Sequence, residues 1–236
     1  MPKYLTVFEK GESVRWLSHL DILRTFERAI RRAELPIAFS AGFNPRERLS
    51  FVSALGTGIT GSAELAHIEL TDSIDPNTIC TSLNKVFPGG IRILHSRELT
   101  DDEVKNFAKG MDRAEFLVAC GCPIETQASD IEHSINALLA LEEATIERER
   151  EGHVRKVDVR PLVHTLTLAP QTDDEGIRAH LYMTLGQGEG AVARPLEVVS
   201  LLQASLPGLA IRRVHRIRIL DKEGQPWLYD APALVS

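Results

Sequence analysis

Long apolar runs are missing from this sequence, and so are cysteine clusters. No stretch reaches the roughly 20 consecutive apolar residues that a membrane-spanning helix needs. The opening, MPKYLTVFEKGESVRWLS, has no apolar centre of the kind a secretory leader carries. Only three cysteines occur, Cys80, Cys120 and Cys122, which argues against a disulfide scaffold and for a reducing, cytoplasmic setting. Cys120 and Cys122 form a lone C-x-C pair, read as two thiols at the end of a buried strand rather than as a redox or metal pair. There is no Walker A loop, no H-E-x-x-H and no C-x-x-x-C-x-x-C triad. The eight histidines are scattered without ligand spacing, so neither a metal nor a cofactor is expected. GTGITG, Gly56 to Gly61, matches G-x-G-x-x-G by letter. A dinucleotide fingerprint needs a helix straight after it, and the alternating SAELAHIEL follows instead, so the segment reads as a flexible hairpin connection.

What is present describes a folded protein. Apolar residues make up 43% of 236, enough for a real core. The formal net charge of −6 argues against a uniformly basic nucleic-acid binder, though not against a local basic stripe. Residues 1–110 hold 14 basic and 14 acidic groups, and the remainder 13 and 19, so the acidic excess is C-terminal.

Periodicity gives the order of elements. Tyr4 to Gly11 alternates with apolar groups on both faces, as a central strand does. Ser18 to Glu34 has helical spacing and ends before Pro36, and Leu35 to Ser40 reads as a second strand. A long connection follows in which Arg48 to Val52 is extended, then a strand over Ala63 to Leu70. A helix from Asp75 to Phe87 has Pro76 in its first turn, and a strand runs from Gly90 to Leu99. After a charged segment the pattern restarts with strands or helices at Ala114–Gly121, Ile131–Leu141, Ala144–Arg150, His164–Pro170, Ile177–Leu185, Arg194–Leu206 and Ala210–Leu220. The expected class is α+β, with two tandem ferredoxin-like (β-α-β-β-α-β) units built on antiparallel sheets. The units span 1–110 and 111–236, the second with an insertion near 150–165. In such a unit the helices cover one sheet face and leave the other open, which is the face RNA-binding relatives of the fold use.

On a helical wheel Ile22, Leu23, Phe26, Ala29, Ile30 and Ala33 share one arc, and Arg24, Arg28, Arg31 and Arg32 the opposite one. Such a face is either solvated surface or a set of guanidinium forks for phosphate or carboxylate. The following loop carries Phe43, Asn44, Arg46 and Arg48, which can stack a base and hold a phosphate or form an ordinary polar turn. Arg216 and Arg218 share one face of the last strand and complete the candidate RNA-binding set. In VRKVDVRP, Arg155, Lys156 and Arg160 surround Asp158 and are read as paired within the segment.

RWLSHLD places Ser18, His19 and Asp21 within four residues, the constituents of a charge relay. A relay needs three converging side chains, which successive helix-start residues do not give. Ser18 and Asp21 instead have the spacing of a capping box. His19 then reads as a packed histidine, with the alternative that it and Arg15 act as general acid–base and phosphorane stabiliser in a metal-independent endoribonuclease.

The stretch from RWLSHLD to AHIEL resembles the signature region of the radical SAM-linked protein family. Arg15, Ser18, His19, Leu20 and Asp21 match its opening, and Ser40, Gly42, Phe43, Asn44, Pro45, Leu49, Ser50 and Phe51 match its second part. KVDVRPLV is similar to the family's Asp-Arg-Pro segment, and Glu47 stands where the family usually has proline. The resemblance implies a domain fused to, or encoded beside, a B12-binding radical SAM protein. This chain has no cluster triad of its own, so the expected role is non-catalytic recognition of RNA, or docking, for such an enzyme. The tandem layout also resembles CRISPR repeat-RNA endonucleases. A protein-binding adaptor that touches no RNA is the third expectation, mildly favoured by the acidic C-terminal half.

Overall fold

The computed structural model describes residues 1–107, 109–150, 152–169, 178–188 and 192–227. Pro170 and Ile177, expected at strand ends, lie outside them. The chain is α+β, with mostly antiparallel sheets. It divides into two compact units, each taken by itself below. The first takes residues 1–111 together with Arg216–Ile219 and, among the described residues, 225–227; the second takes Asp112–His215 and Leu220–Gly224. The expected division near residue 110 therefore omits a return of the chain to the first unit.

In the first unit β1 (Lys3–Lys10) leads to α1 (His19–Arg32), then β2 (Leu49–Phe51), β3 (Ile59–Glu69), α2 (Pro76–Val86), β4 (Ile91–Glu98) and a short α3 (Asp101–Asn106). β1 lies between β4 and β3, and β2 pairs with the far part of β3. The strand expected at Leu35–Ser40 makes only isolated bridges, Ile37 to Leu70 and Phe39 to Glu47. Pro36 has no N–H to give a ladder, and the laddered strand begins at Leu49.

β1 is buried on both faces, as its alternation predicts. Tyr4 and Phe8 pack with Ile22, Phe26, Ala29 and Ile30 of α1, and with Ile79 and Leu83 of α2. Leu5 and Val7 point the other way, to Leu65, Leu99, Phe107 and Ile219, with Trp227 against them. That second cluster corrects the expectation of an open sheet face in this unit. The segment after β4 and Trp227 cover it, and Trp227 is held by a backbone bond from its N–H to Ile219 O (2.8 Å).

The second unit runs β5 (Arg113–Gly121), α4 (Ala128–Leu139), β6 (Thr145–Arg150), β7 (His153–Asp158), β8 (Val163–Ala169), β9 (Ala179–Gly186), α5 (Pro195–Leu202) and the first part of β10 (Ala210–Leu220). β9 lies between β5 and β8, and β10 neighbours β5. β6 and β7 form a separate hairpin, so the strand expected at Ala144–Arg150 does not join the sheet of β5, β9 and β8. Asp158 fixes the base of the hairpin, its carboxylate accepting from Ala144 N (2.9 Å) and Arg160 N (3.0 Å). Arg160 does not pair with it as the sequence suggested. Its guanidinium donates to Leu139 O at the end of α4 (2.6 Å), filling a carbonyl that a helix end leaves open, and to Val163 O at the start of β8 (3.2 Å).

Candidate nucleic-acid interface

α1 starts where the sequence says. Ser18 Oγ accepts from Asp21 N (3.3 Å), and Ser18 N donates to Asp21 Oδ2 (3.0 Å), a complete capping box. The Ser18 hydrogen bonds hold the Asp21 carboxyl below its ordinary pKa. Serine and aspartate are thus engaged with each other and with the backbone, not with His19. The His19 ring is half-buried, edge-on to Phe51 at 5.4 Å, beside a cavity of about 10 Å³ lined also by Lys10 and Glu64. That volume is about one water molecule and far below a nucleotide. Arg15 pairs with Glu12 and lies 4.6 Å over the Trp16 ring. No hydrogen bond or ion pair joins Arg15 to His19 among the described residues.

The arginines separate into two environments. Arg24, Arg28, Arg31 and Arg32 are all exposed on the face of α1 opposite its buried Ile22, Phe26, Ala29 and Ile30. Arg31 donates from Nε to Glu47 Oε1 (2.6 Å), while Arg28 and Arg32 have no ion-pair partner among the described residues. Two like charges one turn apart cost a helix about 0.2–0.5 kcal/mol, so their placement is not explained by helix stability. Arg32, in the last turn, gains some of that back from the helix dipole.

The Arg31–Glu47 pair also anchors the loop after α1. Glu47 is the residue standing where the resembled family has proline, and its side chain is almost fully buried. Backbone bonds from Ser40 N to Arg46 O (2.8 Å) and Arg48 N to Ala38 O (2.8 Å) make this loop a tight reversal. Gly42 at φ +123° supplies the left-handed residue it needs. Phe43 stands fully exposed at the tip, with Asn44 and Arg46 also exposed. Arg48 turns back to Glu69 (3.3 Å) and is partly neutralised there.

Arg216 is a different kind of group, and its place in the RNA-binding set is corrected. Its side chain is 2% exposed and forks onto Glu64, itself 3% exposed, with Nε to Oε1 at 2.8 Å. Nη1 donates to Ser53 Oγ (3.1 Å). Arg218 is half-buried, and Ile217 and Ile219 are buried, so β10 from Arg216 onward offers no solvated basic face. Lys10 completes the cluster: a register shift after Phe8 turns it inward, where Nζ donates to the carbonyls of Arg15 (2.9 Å), Leu17 (3.0 Å) and Gly56 (3.3 Å). Burial lowers the Lys10 pKa, Glu64 opposes that and Arg216 adds to it. Gly61 makes the space, since a Cβ there would meet Glu64 Oε1 at 2.5 Å.

Lys85 was not singled out from the sequence. It lies at the end of α2, and with Arg28 and Arg32 it lines a groove of about 400 Å³ floored by Ala29, Val86 and Phe87. A lone lysine on a second helix gives no signal until the two helices pack. The remaining motifs fall outside any site. GTGITG leads straight into β3, with Gly58 N bonded to Arg15 O (2.8 Å). The Cys120 thiol is buried and pushed up to about 12 by that burial, which makes it a poor nucleophile. No cluster of metal-binding side chains occurs among the described residues, and no helix among them is long and apolar enough to cross a membrane.

Residues 3–195 match the family described as "Uncharacterized protein conserved in bacteria (DUF2344)". The chain belongs to that family. No curated protein matches the sequence. Among solved structures, the fold is similar to a chain of a Cbf5-Nop10-Gar1 complex, at 10% identity and a TM-score of 0.52, over 92% of this chain and 48% of that one. A chain of an H/ACA RNP bound to a substrate RNA containing 2'-deoxyuridine matches at 12% identity and a TM-score of 0.48, over 92% and 47%. The chain thus spans about half the length of these solved chains, and the likeness to the Cbf5-Nop10-Gar1 chain, at 10% identity, is one of fold alone.

Proposed function

We propose that this member of the family is a non-catalytic RNA-recognition component that presents RNA to, or docks, a radical SAM enzyme in RNA modification. The observation that carries the RNA part is the outer face of α1, where Arg28 and Arg32 stand exposed with no acidic partner among the described residues. Phe43, Asn44 and Arg46 extend that face through the Arg31–Glu47 tie, adding an exposed ring for base stacking. The radical SAM partner rests on the resemblance of the RWLSHLD and SAGFNP segments alone. In the same reading each unit is ferredoxin-like, supported by the strand orders β4-β1-β3-β2 and β10-β5-β9-β8.

Anisotropy titration with labelled structured RNA tests the reading. Affinity falls steeply with salt, and replacing Arg24, Arg28 and Arg31 together by glutamate abolishes it. Affinity unchanged by the triple replacement sinks the proposal.

The adaptor reading draws on a separate observation, the exposure of Trp16 and Leu20 at 67% and 59%. Capture of a radical SAM protein by the chain, lost in Trp16→Ala and with RNA binding at background, selects it. The endoribonuclease reading has less support, because His19 faces a space the size of one water. RNA cleavage in EDTA that disappears in His19→Ala revives it.

A further inference from the structure

We infer that the groove between α1 and the end of α2 binds a phosphomonoester carried by a nucleotide, namely the phosphorylated end of an RNA strand. The RNA part of this rests on the function proposed above; the phosphomonoester part stands on the groove itself.

Three cations line the groove, Arg28 and Arg32 one turn apart on α1 and Lys85 on α2. No carboxylate lines it, and none of the three has an ion-pair partner among the described residues. The charge is therefore uncompensated at close range, and its ligand is an anion. A phosphomonoester carries about −1.5 to −2 at neutral pH, because its second ionisation lies near pH 6. An internal phosphodiester carries a single negative charge. Three cations match the monoester better, and two guanidinium forks with one point-like ammonium fit its three terminal oxygens.

The volume of about 400 Å³ falls in the range of small-ligand pockets, so a whole nucleotide fits and not only its phosphate. The floor is apolar and fixed. Phe87 packs edge-on against Phe26 at 4.8 Å, its N–H donates to Leu83 O (3.0 Å), and Ala29 is buried. A sugar or base thus meets a surface that needs no ordering on binding.

The test uses the full chain and labelled short RNAs of one sequence carrying a 5′-phosphate, a 3′-phosphate or hydroxyls at both ends, with adenosine monophosphate titrated separately. One phosphorylated end binds roughly tenfold tighter than the hydroxyl-ended strand, the size of one charge-assisted hydrogen bond. Lys85→Ala removes that advantage and leaves the hydroxyl-ended strand within about threefold, since one phosphate contact contributes modestly to overall affinity. Equal affinity for all three strands, with no adenosine monophosphate bound, overturns the groove assignment and leaves the RNA reading standing. Adenosine monophosphate binding that depends on Lys85, without binding of any RNA, supports a nucleotide groove and overturns the RNA reading. No binding of either overturns both.

Discussion

Arginine on α1 and arginine on β10 are the same side chain under opposite conditions. Arg28 and Arg32 stand in water beside each other, and Arg216 sits in the interior against Glu64 with both oxygens of the carboxylate engaged. The first arrangement gains little from the fold and is free to meet an anion from outside. The second has given up its hydration and is held by its partner, so it serves to keep the fold. In the sequence both appear as arginine-rich amphipathic segments, and only the position of carboxylates tells them apart.

The sharpest way to break that contrast is to remove Arg216. Arg216→Met leaves the Glu64 carboxylate buried without its fork, and about 3–5 kcal/mol of stability is expected to go with it, measured by urea denaturation. Replacing both, Glu64→Leu with Arg216→Met, restores part of the loss, because the buried Lys10 cation keeps its three carbonyl acceptors but loses the Glu64 charge beside it. Arg28→Glu in the same assay moves stability by no more than about 0.5 kcal/mol, as for a surface site without packing. Equal losses at the two positions would erase the distinction.

RNA affinity reverses the order of the two regions and is the next largest effect. Replacing Arg24, Arg28 and Arg31 by alanine, which weakens binding without reversing the charge, lowers the slope of log affinity against log salt by about 2–3, at roughly 0.9 for each phosphate no longer neutralised. Arg218→Ala, on the half-buried strand, leaves that slope unchanged.

Much of the first unit was readable because its signals are local. The apolar arc of α1, its Ser18 start and the two-faced burial of β1 each follow from spacing within a dozen residues. What was unreadable depends on residues far apart. Glu64 and Arg216 are separated by 152 positions, and nothing in either neighbourhood announces the other. The sheet face expected to be open is closed by Phe107 and Trp227, which follow the expected elements in sequence. Lys85 gains meaning only when α2 lies beside α1. The pairing of Glu47 with Arg31 shows a loop held by charge where the resembled family has the rigidity of proline.

A smaller effect is expected at the start of α1. Ser18→Ala removes the acceptor for Asp21 N and costs about 1 kcal/mol, read from the shift in urea midpoint. The Asp21 carboxyl is held below its usual pKa by Ser18, so its contribution is present at neutral pH and is lost as pH falls through its folded value. In Ser18→Ala that acid-side dependence shrinks.

The smallest expected effect concerns a third kind of buried base. His67 on β3 lies against the Phe107 ring at 5.4 Å, and its Nε2 is buried with no hydrogen-bond partner among the described residues. Burial lowers its pKa, Glu69 pulls it up, and Lys3 and Arg48 push it down. Where Arg216 has the Glu64 carboxylate hydrogen-bonded to it, His67 has no such partner and sheds its charge. The unfolded chain therefore binds a proton more readily than the folded one, and stability drops as pH falls below about 6.5, the ordinary histidine value. His164 in the second unit shifts the same way by burial and contributes to the same drop. Urea midpoints at pH 7.5 and 5.5 separate the two, because His67→Gln keeps a polar group of similar size without a titrating proton. The midpoint difference between the two pH values shrinks in that variant and does not vanish. An unchanged difference would mean that His67 is charged in the folded chain, and that burial without a partner does not strip the cation as it does in this account.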